Sequence, residues 1–149
     1  MLQWILAAIH LLALGLGLGA AWVRGQALLG LPDRAALKRA LDADNVWGIA
    51  AMLWIGSGLP RVLLGAEKPA AYYVQSPLFW IKMTLFATIF ALEIGPMISL
   101  IRWRIALAKG AAPDLSAAPR WALISRIEAA LVVAIVLVAT AMARGFGTR

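Results

Sequence analysis

Residues 2–23 read LQWILAAIHLLALGLGLGAAWV, a run without a single Asp, Glu, Lys or Arg. A helix that crosses the hydrocarbon core of a bilayer needs about 20 predominantly apolar residues, and this run meets that length. The apolar core of a secretory signal is only about 7–15 residues long and follows a basic segment; here no Lys or Arg precedes the run. We therefore read it as a retained membrane helix. Working outward, residues 45–64, 77–101 and 121–143 have the same character. The expected architecture is all-α: a four-helix transmembrane bundle, one integral membrane domain over residues 1–149, with spans near 2–23, 45–64, 77–101 and 121–143.

Composition agrees. The chain is 63% hydrophobic and 14% charged, with a mean hydropathy of +0.86, whereas soluble domains are about 45–50% apolar and about 25% charged. Cysteine is absent, which excludes disulfides and thiolate metal sites. The net charge of +7 does not point to nucleic acid, because the basic residues sit in short stretches between the apolar runs. That distribution reads as membrane topology and headgroup contact. Arg24, Arg34, Lys38, Arg39, Arg102, Arg104, Lys109, Arg120 and Arg126 fall on one side, against Arg61, Lys68, Arg144 and Arg149 on the other. The positive-inside rule then places the first and third connections in the cytoplasm and both termini outside.

Local signals set the expected boundaries. Asp44 or Asn45 is placed to cap the second helix, and Ser76-Pro77 forms a cap and first turn for the third. Tyr72 and Tyr73 suit an interfacial belt. Residues 32–41 read either as a short amphipathic helix along the headgroups, with Leu37 and Leu41 opposite Arg34 and Lys38, or as an ordinary basic loop.

Ionisable residues inside a span cost about 2.5–3.5 kcal/mol each on insertion scales, so each needs a partner or a purpose. The candidates are His10, Arg61, Lys82, Glu93, Arg126 and Glu128. At about 1.5 Å of rise per residue, Arg61 and Lys82 fall about 10 Å outside the midplane, and Glu93 and Glu128 about 6 Å inside it. Lys82 and Glu93 share one face of the third helix, with Phe86 and Ile89 between them; Trp47, Trp54 and Arg61 share a face of the second. An anionic group would fit between Arg61 and Lys82, although both can also snorkel to water. Arg126 is the expected ion-pair partner of Glu93, and Pro96 leaves the Leu92 carbonyl without its helical donor. His10 is the only histidine; it can pack through hydrogen bonds, relay protons or ligate haem iron, alone, with Met52 or Met83, or with its copy in a dimer. Gly15, Gly17 and Gly19 with Ala20 and Ala21, and Gly48, Gly56, Ser57 and Gly58, form small-residue surfaces for close helix approach.

The stretches Gly58-Leu59-Pro60-Arg61-Val62, Tyr72-Tyr73 and Ser76-Pro77-Leu78-Phe79-Trp80-Ile81-Lys82, with Pro96 and Arg102-Trp103-Arg104, resemble a bacterial family of four-span "predicted membrane proteins" of unknown function. The resemblance implies a multi-pass protein of the bacterial inner membrane in which Arg61, Tyr73 and Lys82 cluster on the outer side. A more distant likeness is to HemJ-type protoporphyrinogen oxidases and CopD-like proteins, through His10 and Trp80 with Lys82, although no histidine follows Lys82 here. That likeness implies haem b or a related tetrapyrrole held between the helices, with redox activity and a membrane redox partner. His10 would be the iron ligand, and Arg61, Tyr73, Lys82 and Trp54 would line the cofactor. The alternatives are a non-enzymatic small subunit or regulator of a larger complex, homo-oligomeric through its small-residue surfaces, and a proton-coupled or copper transporter using Glu93 and Glu128.

Overall fold

The computed structural model describes residues 1–63 and 70–146, except for the side chains of Leu2, Arg61, Val62, Leu63, Ala70 and Tyr72. Arg61's side chain, and with it the expected Arg61–Lys82 pairing, lies outside the described residues. Helix α1 spans Leu2–Leu29, α2 Arg34–Leu63, α3 Ala70–Gln75, α4 Pro77–Ala108 and α5 Ala118–Ala143. The described residues contain no strand.

The long helices outrun the expected spans, for reasons visible in their ends. Apolar residues resume after Arg24, so α1 continues to Leu29 and stops where the Gly30 N–H bonds back to the Ala27 carbonyl at 3.0 Å. Helix α2 begins eleven residues before Asn45, which corrects the capping role expected for Asp44 and Asn45: both lie inside the helix. The cap is Asp33. Its carboxylate accepts the Ala36 N–H at 2.9 Å, and its carbonyl accepts the Leu37 N–H at 2.9 Å. Residues 34–41 are thus the first turns of α2 rather than a separate interfacial piece, with Ala36, Leu37 and Ala40 buried and Lys38 and Arg39 exposed. Pro77 does open α4, with Ser76 at the cap position, yet the Ser76 hydroxyl makes no capping bond. Helix α4 runs through Pro96 unbroken.

Helix α1 is central, packed between α2 and α5, and α5 in turn packs against α4. Helices α2 and α4 barely touch, so the four long helices form a ring left open on one side. Helices α1 and α2 are antiparallel along their length: His10 meets Ser57, Gly17 meets Ala50 and Arg24 meets Asp44. His10 and Arg24 lie about 21 Å apart along α1, and α2 therefore covers the same thickness as α1.

Two features establish the solvent. Helices α1, α4 and α5 are long and apolar enough to cross a membrane. The outward surface carries Leu11, Leu12, Met52, Phe90, Leu123 and Leu137, each more than half exposed, which a water-soluble monomer does not tolerate as a continuous surface. The molecule is an all-α membrane bundle. Its interior is built from small residues and large rings: Ala20, Ala21, Ala122 and Ala129 let the helices approach, and Trp47, Trp103 and Trp121 fill the gaps. Gly95 marks a close approach, because a Cβ there would stand 2.7 Å from the Trp121 ring.

Candidate functional site

Hydrocarbon offers no hydrophobic drive between helices, so packing and polar contacts hold a membrane bundle together. The main polar contact here is Arg24, which hydropathy alone assigns to the first connection and which lies inside α1. It is fully buried and all five of its N–H groups are used. Nε donates to the Ser125 hydroxyl at 2.9 Å. Nη1 donates to Asp44 Oδ1 and Glu93 Oε1, each at 2.8 Å. Nη2 donates to Glu93 Oε2 at 2.6 Å and Glu128 Oε2 at 2.7 Å. One guanidinium on α1 thereby clasps α2, α4 and α5, and its pair with Glu93 is bidentate. The Trp47 ring lies 5.6 Å from the guanidinium carbon, within cation–π range.

Arg104 of α4 extends the cluster. Its Nη2 donates to the Leu41 carbonyl, Asp44 Oδ2 and Asn45 Oδ1, each at 2.9 Å. The formal count is three carboxylates against two guanidiniums. Glu128 is fully buried and its Oε1 has no hydrogen-bond partner among the described residues.

This arrangement corrects the expected Glu93–Arg126 pair. Arg126 is exposed on α5, one residue past Ser125 and about 100° around the helix from it, and its stem packs near Gly25. Glu93 faces the bundle interior, where Arg24 already occupies both of its oxygens. Glu93 and Glu128, singled out separately in the sequence, meet on one nitrogen of Arg24. The missed residue had a signal: the apolar run Ala27–Leu31 beyond Arg24 allows the helix to carry the cation inward.

Toward the other end of the bundle, His10 sits between α1 and α2. The Trp54 indole N–H donates to His10 Nε2 at 2.9 Å. Indole can only donate, so Nε2 accepts, and in the neutral ring Nδ1 carries the proton toward the Ser57 oxygen at 3.0 Å. The Ser57 hydroxyl in turn donates to the Leu53 carbonyl at 2.6 Å. A Cβ at Gly58 would stand 3.1 Å from the imidazole, so glycine leaves room for the ring. Trp54 also meets Phe86 of α4 edge-on at 5.3 Å. The expected cofactor residues His10 and Trp54 are therefore in direct contact, as part of a hydrogen-bonded chain. Met52 is exposed on the lipid-facing surface. Tyr73 is buried beside Phe79, with ring centres 5.7 Å apart, and the Lys82 ammonium lies 5.5 Å from the same Phe79 ring.

Between the two polar groups lies a cleft of about 210 Å³ where α2 and α4 part. Its walls are Trp47, Trp54, Phe86 and Phe90, its floor is Leu14 and Gly17 of α1 with Val132 of α5, and Asp44 and Glu93 close one end. Their side chains are 12% and 16% exposed, against 0% for Glu128. The cleft thus presents an aromatic body and an acidic end. Among the described residues no group of three or more His, Asp or Glu is arranged to hold a metal ion.

Residues 2–147 match the family model described as "Predicted membrane protein (DUF2214)". The chain belongs to this family. The match spans all five helices and confirms the first resemblance drawn from the sequence. It does not extend to the HemJ-type and CopD-like proteins, and that likeness is unsupported. No curated protein and no solved structure matches the chain. The family description places the chain in a membrane and says nothing of chemistry, so a functional reading rests on the ion cluster and the cleft.

Proposed function

We propose that this membrane protein binds a small bilayer-borne molecule in the cleft between α2 and α4, with the Arg24 cluster holding the cleft in shape and forming its polar end. One observation carries the reading: a lateral opening in the ring of helices is lined by four aromatic rings and closed by two partly exposed carboxylates. Ligand sites are characteristically apolar hollows with a few convergent polar groups, and this cleft has that composition. Its volume of about 210 Å³ is below the roughly 300–1,000 Å³ of pockets for drug-sized ligands. A slender molecule suits it better than a flat tetrapyrrole.

The test fills the cleft. Ala51 lines it, and Ala51→Phe places a ring in the space. Native mass spectrometry of protein released from lipid nanodiscs should show a bound small molecule on the wild-type chain and none on the variant. Adduct-free spectra for both, with tryptophan emission indifferent to brominated lipid, would remove the proposal.

A haem-binding reading with His10 as iron ligand draws on the position of this single histidine inside the bundle. It requires Nε2 to exchange the Trp54 indole for iron, or the ring to turn and release Ser57. A Soret band in protein from haem-replete cells, lost in His10→Ala, would support it; a spectrum without that band would end it.

A further inference from the structure

The charges around Arg24 balance only if the cluster holds a proton. Every helix of the ring contributes a group: Arg24 from α1, Asp44 from α2, Glu93 and Arg104 from α4, and Glu128 from α5. Three carboxyl groups thus meet two guanidiniums. The remaining neighbours are the Ser125 hydroxyl, the Asn45 amide and the Trp47 ring, none of which carries charge. Both oxygens of Asp44 accept from a guanidinium, one from Arg24 and one from Arg104, and both oxygens of Glu93 accept from Arg24. Glu128 differs. Its Oε2 accepts from Arg24 Nη2 at 2.7 Å, the nitrogen that also donates to Glu93 Oε2 at 2.6 Å, while its Oε1 has no hydrogen-bond partner among the described residues. It is also the one carboxyl of the three that is fully enclosed; Asp44 and Glu93 are partly exposed.

Burying an ionised oxygen without a partner costs far more than burying a neutral one, and two carboxyl groups that share a site do not readily ionise together. We infer that the Arg24 cluster is a proton-binding site, with one proton resident on Glu128 Oε1. Glu128 then accepts from Arg24 through its carbonyl oxygen, and Asp44 and Glu93 are the two carboxylates that offset Arg24 and Arg104. Glu93 is placed to pass the proton, because it meets Glu128 on one nitrogen and lines the cleft. Loss of the proton sets two negative charges against that nitrogen and loosens α5 from α1 and α4. The inference holds whether or not the cleft carries a ligand.

The chain has three glutamates, Glu67, Glu93 and Glu128, so carbon NMR of the full protein in nanodiscs, with the glutamate carboxyl carbon labelled, gives three signals. At neutral pH one of them should stand at the position of a protonated carboxylic acid, and it should be the signal that disappears in Glu128→Gln. Glu93→Gln leaves two carboxyl groups for two guanidiniums, so there the Glu128 signal should shift to the carboxylate position. A proton held by the folded state and not by the unfolded one makes stability fall as pH rises, until the folded state releases it. Dodecyl sulfate unfolding of wild type should therefore show an alkaline loss of stability that Glu128→Gln lacks. Three carboxylate signals at neutral pH, or a protonated signal that survives Glu128→Gln, overturns the inference. A Glu128 signal that stays protonated in Glu93→Gln overturns the charge balance on which it rests. Should the variants fail to fold, the infrared spectrum of wild type decides alone: a carboxylic acid carbonyl stretch that shifts in heavy water supports the held proton, and its absence at neutral pH overturns it.

Discussion

Replacing Arg24 by methionine tests whether one buried cation organises this bundle. The substitution keeps an unbranched apolar stem and removes five hydrogen bonds that reach α2, α4 and α5. Interhelical hydrogen bonds in membranes average about 0.6 kcal/mol by double-mutant cycles, so five come to about 3 kcal/mol. Breaking a buried ion pair by removing one partner costs about 3–5 kcal/mol, and the two routes agree. The loss has a specific origin: Glu93 and Glu128, which share Nη2 of Arg24, are left facing each other without their cation. Two further variants isolate that cause. Arg24→Lys keeps the charge but has three donors and no planar fork, so its stability should lie between wild type and Arg24→Met. Adding Glu93→Leu and Glu128→Leu to Arg24→Met leaves only the Arg104–Asp44 pair and should recover much of the loss, because buried ion clusters are often replaceable by apolar groups as a set. Unfolding by dodecyl sulfate in mixed micelles, followed by circular dichroism, measures all four proteins. Arg24→Met within about 0.5 kcal/mol of wild type, the range of ordinary surface changes, would refute the reasoning. So would a triple variant less stable than Arg24→Met.

Other outcomes follow from single contacts. Arg126→Ala should stay within about 0.5 kcal/mol of wild type in the same assay, because Arg126 is exposed and Glu93 is held elsewhere. Gly95→Ala should destabilise by about 1–3 kcal/mol through overpacking against the Trp121 ring, and the added Trp121→Leu should relieve part of it. Trp54→Phe removes the donor to His10 Nε2; nitrogen NMR of the one histidine should show the neutral ring with the proton on Nδ1 in wild type and lose that fixed tautomer in the variant. Asp114, in the connection before α5, is held below the usual aspartate range by the Ser116 backbone N–H and then its hydroxyl. A carboxyl lowered in the folded state contributes stability above its unfolded value and loses it as pH falls through the folded one. Carbon NMR should therefore place the Asp114 midpoint lower than in Ser116→Pro, which lacks the N–H.

Much of the site was legible residue by residue. Glu93 and Glu128 stood out as carboxyl groups in apolar runs, and the shared faces of Trp47 with Trp54 and of Phe86 with Ile89 and Glu93 reappear as walls of the cleft. The pairing was not legible. Arg126 looked the natural partner for Glu93 because both lie in apolar runs at similar depth, yet depth says nothing about azimuth. Ser125 and Glu128 face Arg24 on the buried side of α5, while Arg126 is exposed. The start of α2 was displaced for a similar reason: Asp44 has the chemistry of a cap, but Asp33 lies where the chain turns.

Hydropathy is local and additive along the chain, so four apolar runs were enough to determine that this protein folds in a membrane as helices and that charges within them need partners. Which charges meet depends on helix rotation and on neighbours 20, 69 and 104 positions away from Arg24. Only tertiary packing could turn Arg24 inward from what looked like a connecting loop, and only the gap between α2 and α4 could convert two of its carboxylates into the end of a cleft.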